Sequence, residues 1–400
     1  MKILMLVPYL PFPLLSGGQI RSYNLLKKLS LKHEVTLFAL IKQESERQYI
    51  SQLEKYCRQV KVFKRSKKPF TLKNILKTAF SSYPFLAIRN YVTQTIVAVK
   101  QELEREQYDL IHAETFYMMP HIPKTKIPII LVEQTIEYLG YESYAKKIKW
   151  PVLKQLMQLD IKKIKRWEKY YWNSCSKLIV MSQDDKNFIS KFLKDDKKVE
   201  VVANGVDTSW FAEKPKKLPE SPTILFVGTF KWLPNVEAVS FLVEKVWPLI
   251  KAEISDAKLW IVGNAPTKKV FEFQRKDSSI TVTGGIPDIR DAFASSHILL
   301  APVFSGKGTR YKILEAMAAK TPIVASNTAV EGLDLKHNVQ VFTSDNAKGM
   351  AKFSVKLLKD ANKRAEFAKN GYEFVKDNYD WRFIAKKLDE VYQEFAVTKL

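Results

Sequence analysis

Short runs rich in Val, Ile and Leu recur along the whole chain, each separated from the next by a stretch of helical periodicity. Residues 3–7, 35–40, 110–112, 129–132, 178–181 and 199–202 form one set. Residues 223–227, 258–262, 280–283, 298–301, 322–325 and 340–342 form a second. Runs of this kind suit strands covered on both faces, and their alternation with helices points to parallel sheets flanked by helices. Between the sets, VVANGVDTSWFAEKPKKLPESP carries the turn pair Asn204-Gly205 and then Pro215, Pro219 and Pro222, which reads as a linker. At 400 residues the chain exceeds one ordinary core. The expected fold class is therefore α/β, with two Rossmann-like doubly wound parallel-sheet domains, residues 1–203 and residues 204–380. Two such sheets facing a central cleft would bind ligands at the carboxyl ends of their strands.

Composition narrows the setting. Hydrophobic residues make up 46%, enough for two cores, so disorder is excluded. The two cysteines, Cys57 and Cys175, lie far apart and support neither a disulfide framework nor a zinc site, which suits a reducing, cytoplasmic setting. The opening MKILMLVP is too short in its apolar part for a leader and reads as a first buried strand. No run of 18 apolar residues predicts a membrane span.

Sixty-five Lys and Arg against 42 Asp and Glu give a net charge of +23, a field that draws nucleic acids, anionic lipid or phosphorylated small molecules. Much of it is scattered, as on any lysine-rich surface. Residues 146–172 are different: cations crowd a helical pattern of Val152, Leu153, Leu156, Leu159, Ile164 and Trp167, with Trp150, Tyr170, Tyr171 and Trp172 at the ends. This reads either as a basic amphipathic helix for an anionic membrane surface, making the protein peripheral on the inner face, or as a domain helix with a lysine-rich outer side.

The stretch VFSGKGTRYKILEAMAAKTPIVAS, residues 303–326, carries the chemistry. Gly306 and Gly308 let a backbone approach a ligand closely where a strand passes into a helix, and the first N–H groups of that helix form an anion seat. Lys307 and Arg310 add cations at a helix start, where acids are normally preferred. Glu315 sits one turn further on, directly before a small-residue run, and a ribose diol would satisfy its carboxylate; pairing with Lys312 is the structural alternative. Neither the P-loop nor the dinucleotide fingerprint is present.

This block resembles the donor motif of family-four glycosyltransferases, retaining enzymes of the GT-B fold. Other pieces follow in the family's order: Gly17-Gly18 after the first strand, Arg21 in the next helix, Asn204-Gly205-Val206-Asp207, Phe226-Val227-Gly228 with Trp232, Pro234 and Asn235, then Thr283-Gly284 with Asp288, and Glu315-Ala316-Met317-Ala318. The likeness spans the chain and looks closest to a branch with a WLPN-type stretch. Four positions depart from the family pattern. Lys307 stands where the first glutamate of E-x7-E is usual. Thr229 and Pro234 stand where an arginine and a lysine are usual, so Lys231, Arg310 and Lys312 stand in for that charge. His112-Ala113-Glu114 replaces H-x-H, placing Glu114 at the second histidine.

The resemblance implies a nucleotide-diphosphate sugar as donor and a saccharide or lipid-linked acceptor, with no cofactor and no metal, since D-x-D is absent. It assigns donor binding to Gly17, Gly228, Lys231, Gly284, Gly306, Lys307, Gly308, Thr309, Lys312 and Glu315. Gly18, Arg310, Glu114 and His112 take catalytic places, and Arg21 and Glu137 acceptor contacts. His112 at a strand end also reads as an ordinary core residue. Domain closure would be required, and the helix at 381–400 would return to the first domain. Three other readings remain on sequence alone. A nucleotide-sugar epimerase would need a cluster that the five histidines do not form. A non-catalytic partner subunit would explain the altered motif positions. A nucleic-acid binder would show a motif that is missing here.

Overall fold

The structure, a computed structural model, describes residues 1–66, 68, 70–146, 148–305 and 311–396. It divides into two compact units, Met1–Asn204 with Ile384–Leu400, and Gly205–Phe383. The first crossing follows Asn204, one residue beyond the boundary read from the sequence. The return follows Phe383, inside the terminal helix Trp381–Ala396.

In the first unit, strands β1 (Lys2–Val7), β2 (Glu34–Ile41), β3 (Gln59–Lys64), β4 (Leu110–Glu114), β5 (Ile129–Glu133), β6 (Lys177–Val180) and β7 (Val199–Val201) form one parallel sheet in the order 3-2-1-4-5-6-7. β1, β4 and β6 are buried almost from end to end, which explains their unbroken apolar sequence. β3 has no counterpart among the sequence readings. It is an edge strand, only Val62 is buried, and lysines interrupt its apolar residues.

The second unit repeats the plan with β8 (Thr223–Val227), β9 (Lys258–Val262), β10 (Ile280–Thr283), β11 (Ile298–Ala301), β12 (Ile323–Ala325) and β13 (Phe342–Thr343), ordered 10-9-8-11-12-13 and parallel throughout. In both sheets the strand order reverses, between β1 and β4 and between β8 and β11. The exit loops on either side of such a reversal diverge and leave a crevice at the carboxyl edge.

The expected linker is more ordered than its prolines suggest. Asp207 caps a short helix, Thr208–Ala212, by accepting the Trp210 N–H at 3.0 Å. Beyond it Lys216 is pinned by the Phe293 carbonyl at 2.7 Å and Thr321 Oγ1 at 2.6 Å, and burial pushes its ammonium down to about 7. The stretches on either side of the crossings also pair: Val206 N–H donates to the Tyr379 carbonyl and Trp381 N–H to the Val206 carbonyl. A Cβ on Gly205 would lie 2.8 Å from the Tyr379 oxygen and 2.9 Å from the Trp381 ring, so this position admits only glycine.

The basic stretch at 146–172 is also not one helix. One helix, Glu137–Lys146, ends there and another, Pro151–Ser174, begins, because proline is well suited to the first helical position and poorly suited to a helix interior. The second helix buries Ile161, Ile164, Glu168 and Trp172, all in its later part, and leaves Trp150, Val152 and Leu156 exposed before them. Among the described residues no helix is long and apolar enough to cross a membrane.

In the second unit, Gly263 has φ +156°, and a Cβ there would meet the Gly228 carbonyl oxygen at 1.7 Å, a clash with backbone that no side-chain rotation relieves. Gly263→Ala is expected to lower the melting transition of this unit by about 5–10 °C, read by calorimetry, while Gly140→Ala, in a helix of the first unit where a Cβ meets nothing within 4 Å, leaves that unit's transition in place or raises it slightly.

Candidate active site

In the first unit a chain of polar side chains runs beneath the β1 exit loop. Tyr392, on the terminal helix, has its hydroxyl 2.7 Å from His112 Nδ1. His112 Nε2 lies 3.1 Å from Glu114 Oε1, and Gln134 Nε2 donates both to Glu114 Oε2 and to the Tyr9 hydroxyl, each at 2.7 Å. Tyr9 in turn lies 3.2 Å from Ser22 Oγ. Burial pushes the Glu114 carboxyl up, but the hydrogen bond and charge of His112, helped by Arg21 and Gln134, bring it below the usual carboxylate range. Glu114 is thus a carboxylate whose charge is balanced within the fold.

Gly17 and Gly18 open the helix Gly17–Leu29, whose cap Ser16 accepts the Gln19 N–H. A Cβ at Gly18 would approach the Tyr9 hydroxyl to 2.6 Å and Gln134 Oε1 to 2.8 Å, so the relay sets the floor on which this glycine rests. His112 and Glu114 were expected among the catalytic groups. Both side chains are 0% exposed and every polar atom is engaged within the unit. What removes them from direct contact is burial, since neither side chain reaches the surface of the unit, and their hydrogen bonds hold the β1 exit loop in place.

Arg21 also departs from its expected place at the acceptor. It is fully buried, and its Nη1 donates to the Ala203 carbonyl at 2.7 Å and to Asn204 Oδ1 at 3.2 Å, tying the first helix to the last residues before the crossing. Glu137 does stand at the carboxyl edge, just after β5. Burial pushes its carboxyl up to about 7, while Thr135 and Arg89 pull the other way. Behind it, Glu168 accepts the N–H groups of Glu137 (2.7 Å) and Tyr138 (3.1 Å), capping that helix from the side. Burial raises the Glu168 carboxyl to about 8 against those two bonds.

In the second unit, Asn235 organises the switch point. Its Nδ2 donates to the Thr229 carbonyl at 2.8 Å, and its Oδ1 accepts from Lys312 Nζ at 2.9 Å. A Cβ on Gly228 would lie 2.7 Å from its Cγ, so Gly228 provides the space for this side chain. Lys312 also stands 4.6 Å from the centre of the Phe226 ring. Glu315, one turn along the helix Tyr311–Ala318, accepts no hydrogen bond from a described residue. Burial, opposed only by the charge of Lys312, pushes its carboxyl up to about 7. Lys231 is exposed in the turn after β8. Gly284 lies two strands away, after edge strand β10, with no side chain near its Cβ position; its carbonyl reaches the Gly263 N–H at 3.3 Å. Gly306, Lys307, Gly308, Thr309 and Arg310 lie outside the described residues.

The structure therefore brings Gly228, Lys312 and Glu315 together and adds Asn235, which the sequence marked only as part of WLPN. In the first unit Tyr9, Gln134 and Tyr392 are additions with no motif to announce them. Ser305, four residues after β11, donates to Glu237 Oε2 at 3.1 Å and is a further addition.

Two parallel doubly wound sheets define the GT-B fold, and Anabaena HepE in complex with UDP and glucose shares it, with TM-score 0.65 at 17% identity over 98% of this chain and 100% of that one. Residues 15–210 match the family described as Glycosyltransferase Family 4, and residues 221–360 match Glycosyl transferases group 1. The chain belongs to the family-four glycosyltransferases and is a sugar-transferring enzyme. Among curated relatives, an uncharacterised 44.6 kDa protein in the cps region of Klebsiella pneumoniae is 22% identical over 95% of this chain and 96% of its own length. Phosphatidyl-myo-inositol mannosyltransferase of Mycolicibacterium smegmatis is 29% identical over 48% of this chain, a match spanning about half of that protein, 51%.

The raised Glu168 carboxyl makes a stability prediction for the first unit. Its folded pKa, about 8, lies above its unfolded value of roughly 4.3. The folded form therefore holds the proton more tightly, and stability falls as pH rises between those two values. The melting temperature of the first unit is expected to decline from pH 5 to pH 8. Glu168→Gln should flatten that slope, as thermal unfolding in a pH series would show.

Proposed function

We propose that this glycosyltransferase is retaining, takes its sugar from a nucleotide-diphosphate sugar, and passes it to a hydroxyl of a saccharide or lipid-linked acceptor without a divalent metal. The observation that carries the reading is Glu315: a crowded carboxylate at the switch point of the second unit, with no described donor and a cation fixed nearby. A ribose diol offers two hydroxyl donors to such a group, and Lys312 with Lys231 offers charge to the adjoining diphosphate, as Arg310 would. In the transfer, the bond from the anomeric carbon to the phosphate oxygen breaks and a bond to the acceptor oxygen forms on the same face. The acceptor proton passes to the departing phosphate, whose growing charge the cations stabilise.

Support for the donor class comes from the neighbouring structure that holds UDP, and for a lipid acceptor from the relative named for phosphatidyl-myo-inositol. The exposed Trp150, Val152 and Leu156 beside the lysines of 146–172 support contact with an anionic membrane surface, in keeping with a peripheral place on the inner face.

Calorimetric titration with UDP, GDP, ADP, dTDP and CMP tests the reading. One diphosphate is expected to bind at micromolar concentration, and Glu315→Ala to weaken it by about 10- to 100-fold, the loss of hydrogen bonds to a charged group. Because the free carboxyl titrates near 7 and must ionise to accept the diol, affinity for the matching nucleotide sugar should rise from pH 6 to pH 8, and the variant should lose that rise. No binding by any nucleotide, or equal binding by the variant, would falsify the assignment.

A further inference from the structure

The first unit holds a second group of charges that the transfer chemistry above leaves unused. Arg65 follows β3 directly at the carboxyl edge, its N–H donating to the Ile41 carbonyl that ends β2. Arg89 lies on the short helix Phe85–Asn90. The two are neighbours: Arg65 Nη1 donates to Asn90 Oδ1 at 2.5 Å, and the two guanidinium charges act on one another. Neither takes part in an ion pair with a described residue. The Nε of each is shielded from solvent and has no hydrogen-bond partner among the described residues. Glu46 and Tyr117 act on Arg65, and Glu137 and Tyr141 on Arg89, from somewhat further off.

Two adjacent guanidiniums with inward donors left open are unfavourable in an empty protein. Each unpaired buried donor costs free energy, and the like charges repel. A doubly charged tetrahedral anion at the outer nitrogens answers the repulsion, since the planar fork of arginine matches phosphate oxygens. The chain between the two arginines is also unusual. The helix Leu72–Phe80 buries none of its residues. Leu72 is 72% and Phe80 87% exposed, and Phe70 before it stacks at 5.0 Å on Phe85 of the helix that carries Arg89. Lys163 Nζ holds the far end of this helix by its carbonyls at Thr78 and Ser81. A helix with exposed apolar side chains thus stands close to two arginines that have no ion-pair partner within reach among the described residues.

We propose that Arg65 and Arg89 together seat the phosphate or diphosphate ester of the acceptor, with the exposed helix Leu72–Phe80 receiving an attached apolar chain. The inference rests on the transferase reading above and gives its acceptor a chemical class. Glu137 and Tyr117, which face the same charges, would then meet the hydroxyl-bearing part of the molecule.

Titration calorimetry of the full chain with geranyl diphosphate, inorganic pyrophosphate and geraniol tests it. Geranyl diphosphate should bind, and the double variant Arg65→Gln/Arg89→Gln should weaken that binding tenfold or more. Arg65→Lys/Arg89→Lys, which keeps the charge, should restore part of it and guards against simple misfolding; geraniol should bind at least tenfold more weakly. Any diphosphate bound at the nucleotide seat persists in all variants and drops out of the comparison. If geranyl diphosphate exceeds pyrophosphate tenfold in the arginine-dependent part, and Phe80→Ser removes the excess, the ester is lipid-borne. Equal arginine-dependent binding of the two keeps the anion seat and overturns the place given to the apolar chain. A double variant that binds geranyl diphosphate as the wild type does would overturn the proposal. Nucleotide titration of the same proteins separates the two readings: a wild type that binds nucleotide but no geranyl diphosphate removes this inference alone.

Discussion

A parallel sheet sends the exit loop of every strand to one edge, and this constraint governs where everything else in the molecule can be. Both sheets are parallel in every pairing, and in each the order reverses beside its first strand. Tyr9, Gly18, Glu114 and Glu137 therefore gather at the edge of the first unit although the first and last of them stand more than a hundred residues apart. Gly228, Asn235, Lys312 and Glu315 gather at the edge of the second for the same reason. Reversing the hydrogen-bonding direction of any one strand would carry its loop to the opposite edge and dismantle the group.

Several motif residues turn out to serve the scaffold that holds the chemistry. Arg21 secures the backbone just before the crossing, Gly205 lets two chain segments come together, and Asp207 caps the helix that follows. His112 and Glu114 form the middle of a buried relay reaching from Tyr392 to Tyr9. Such residues are as constrained as substrate ligands, because a buried charge tolerates the loss of a partner poorly. A motif therefore marks strong constraint and does not by itself distinguish contact with substrate from support.

The excess of positive charge has a comparable division. Most cations are exposed and solvated, where a surface pair contributes little. A few are held where they matter: Lys312 on Asn235 and the Phe226 ring, Lys216 on two oxygens of its own unit, and Arg65 beside Arg89. Their importance comes from burial and fixed geometry, which net charge does not describe.

The apolar runs determined the two-sheet architecture, because strands covered on both faces must be apolar at nearly every position. The block around Glu315 drew attention to this helix start, because a carboxylate directly before a run of small residues leaves a local signature. Edge strand β3 was illegible, since half-buried positions carry lysines as readily as valines. The relay through Gln134 and Tyr392, the turning inward of Arg21, and the pairing of Arg65 with Arg89 were decided only in three dimensions. They join residues distant in the chain through side-chain packing, which no local pattern encodes.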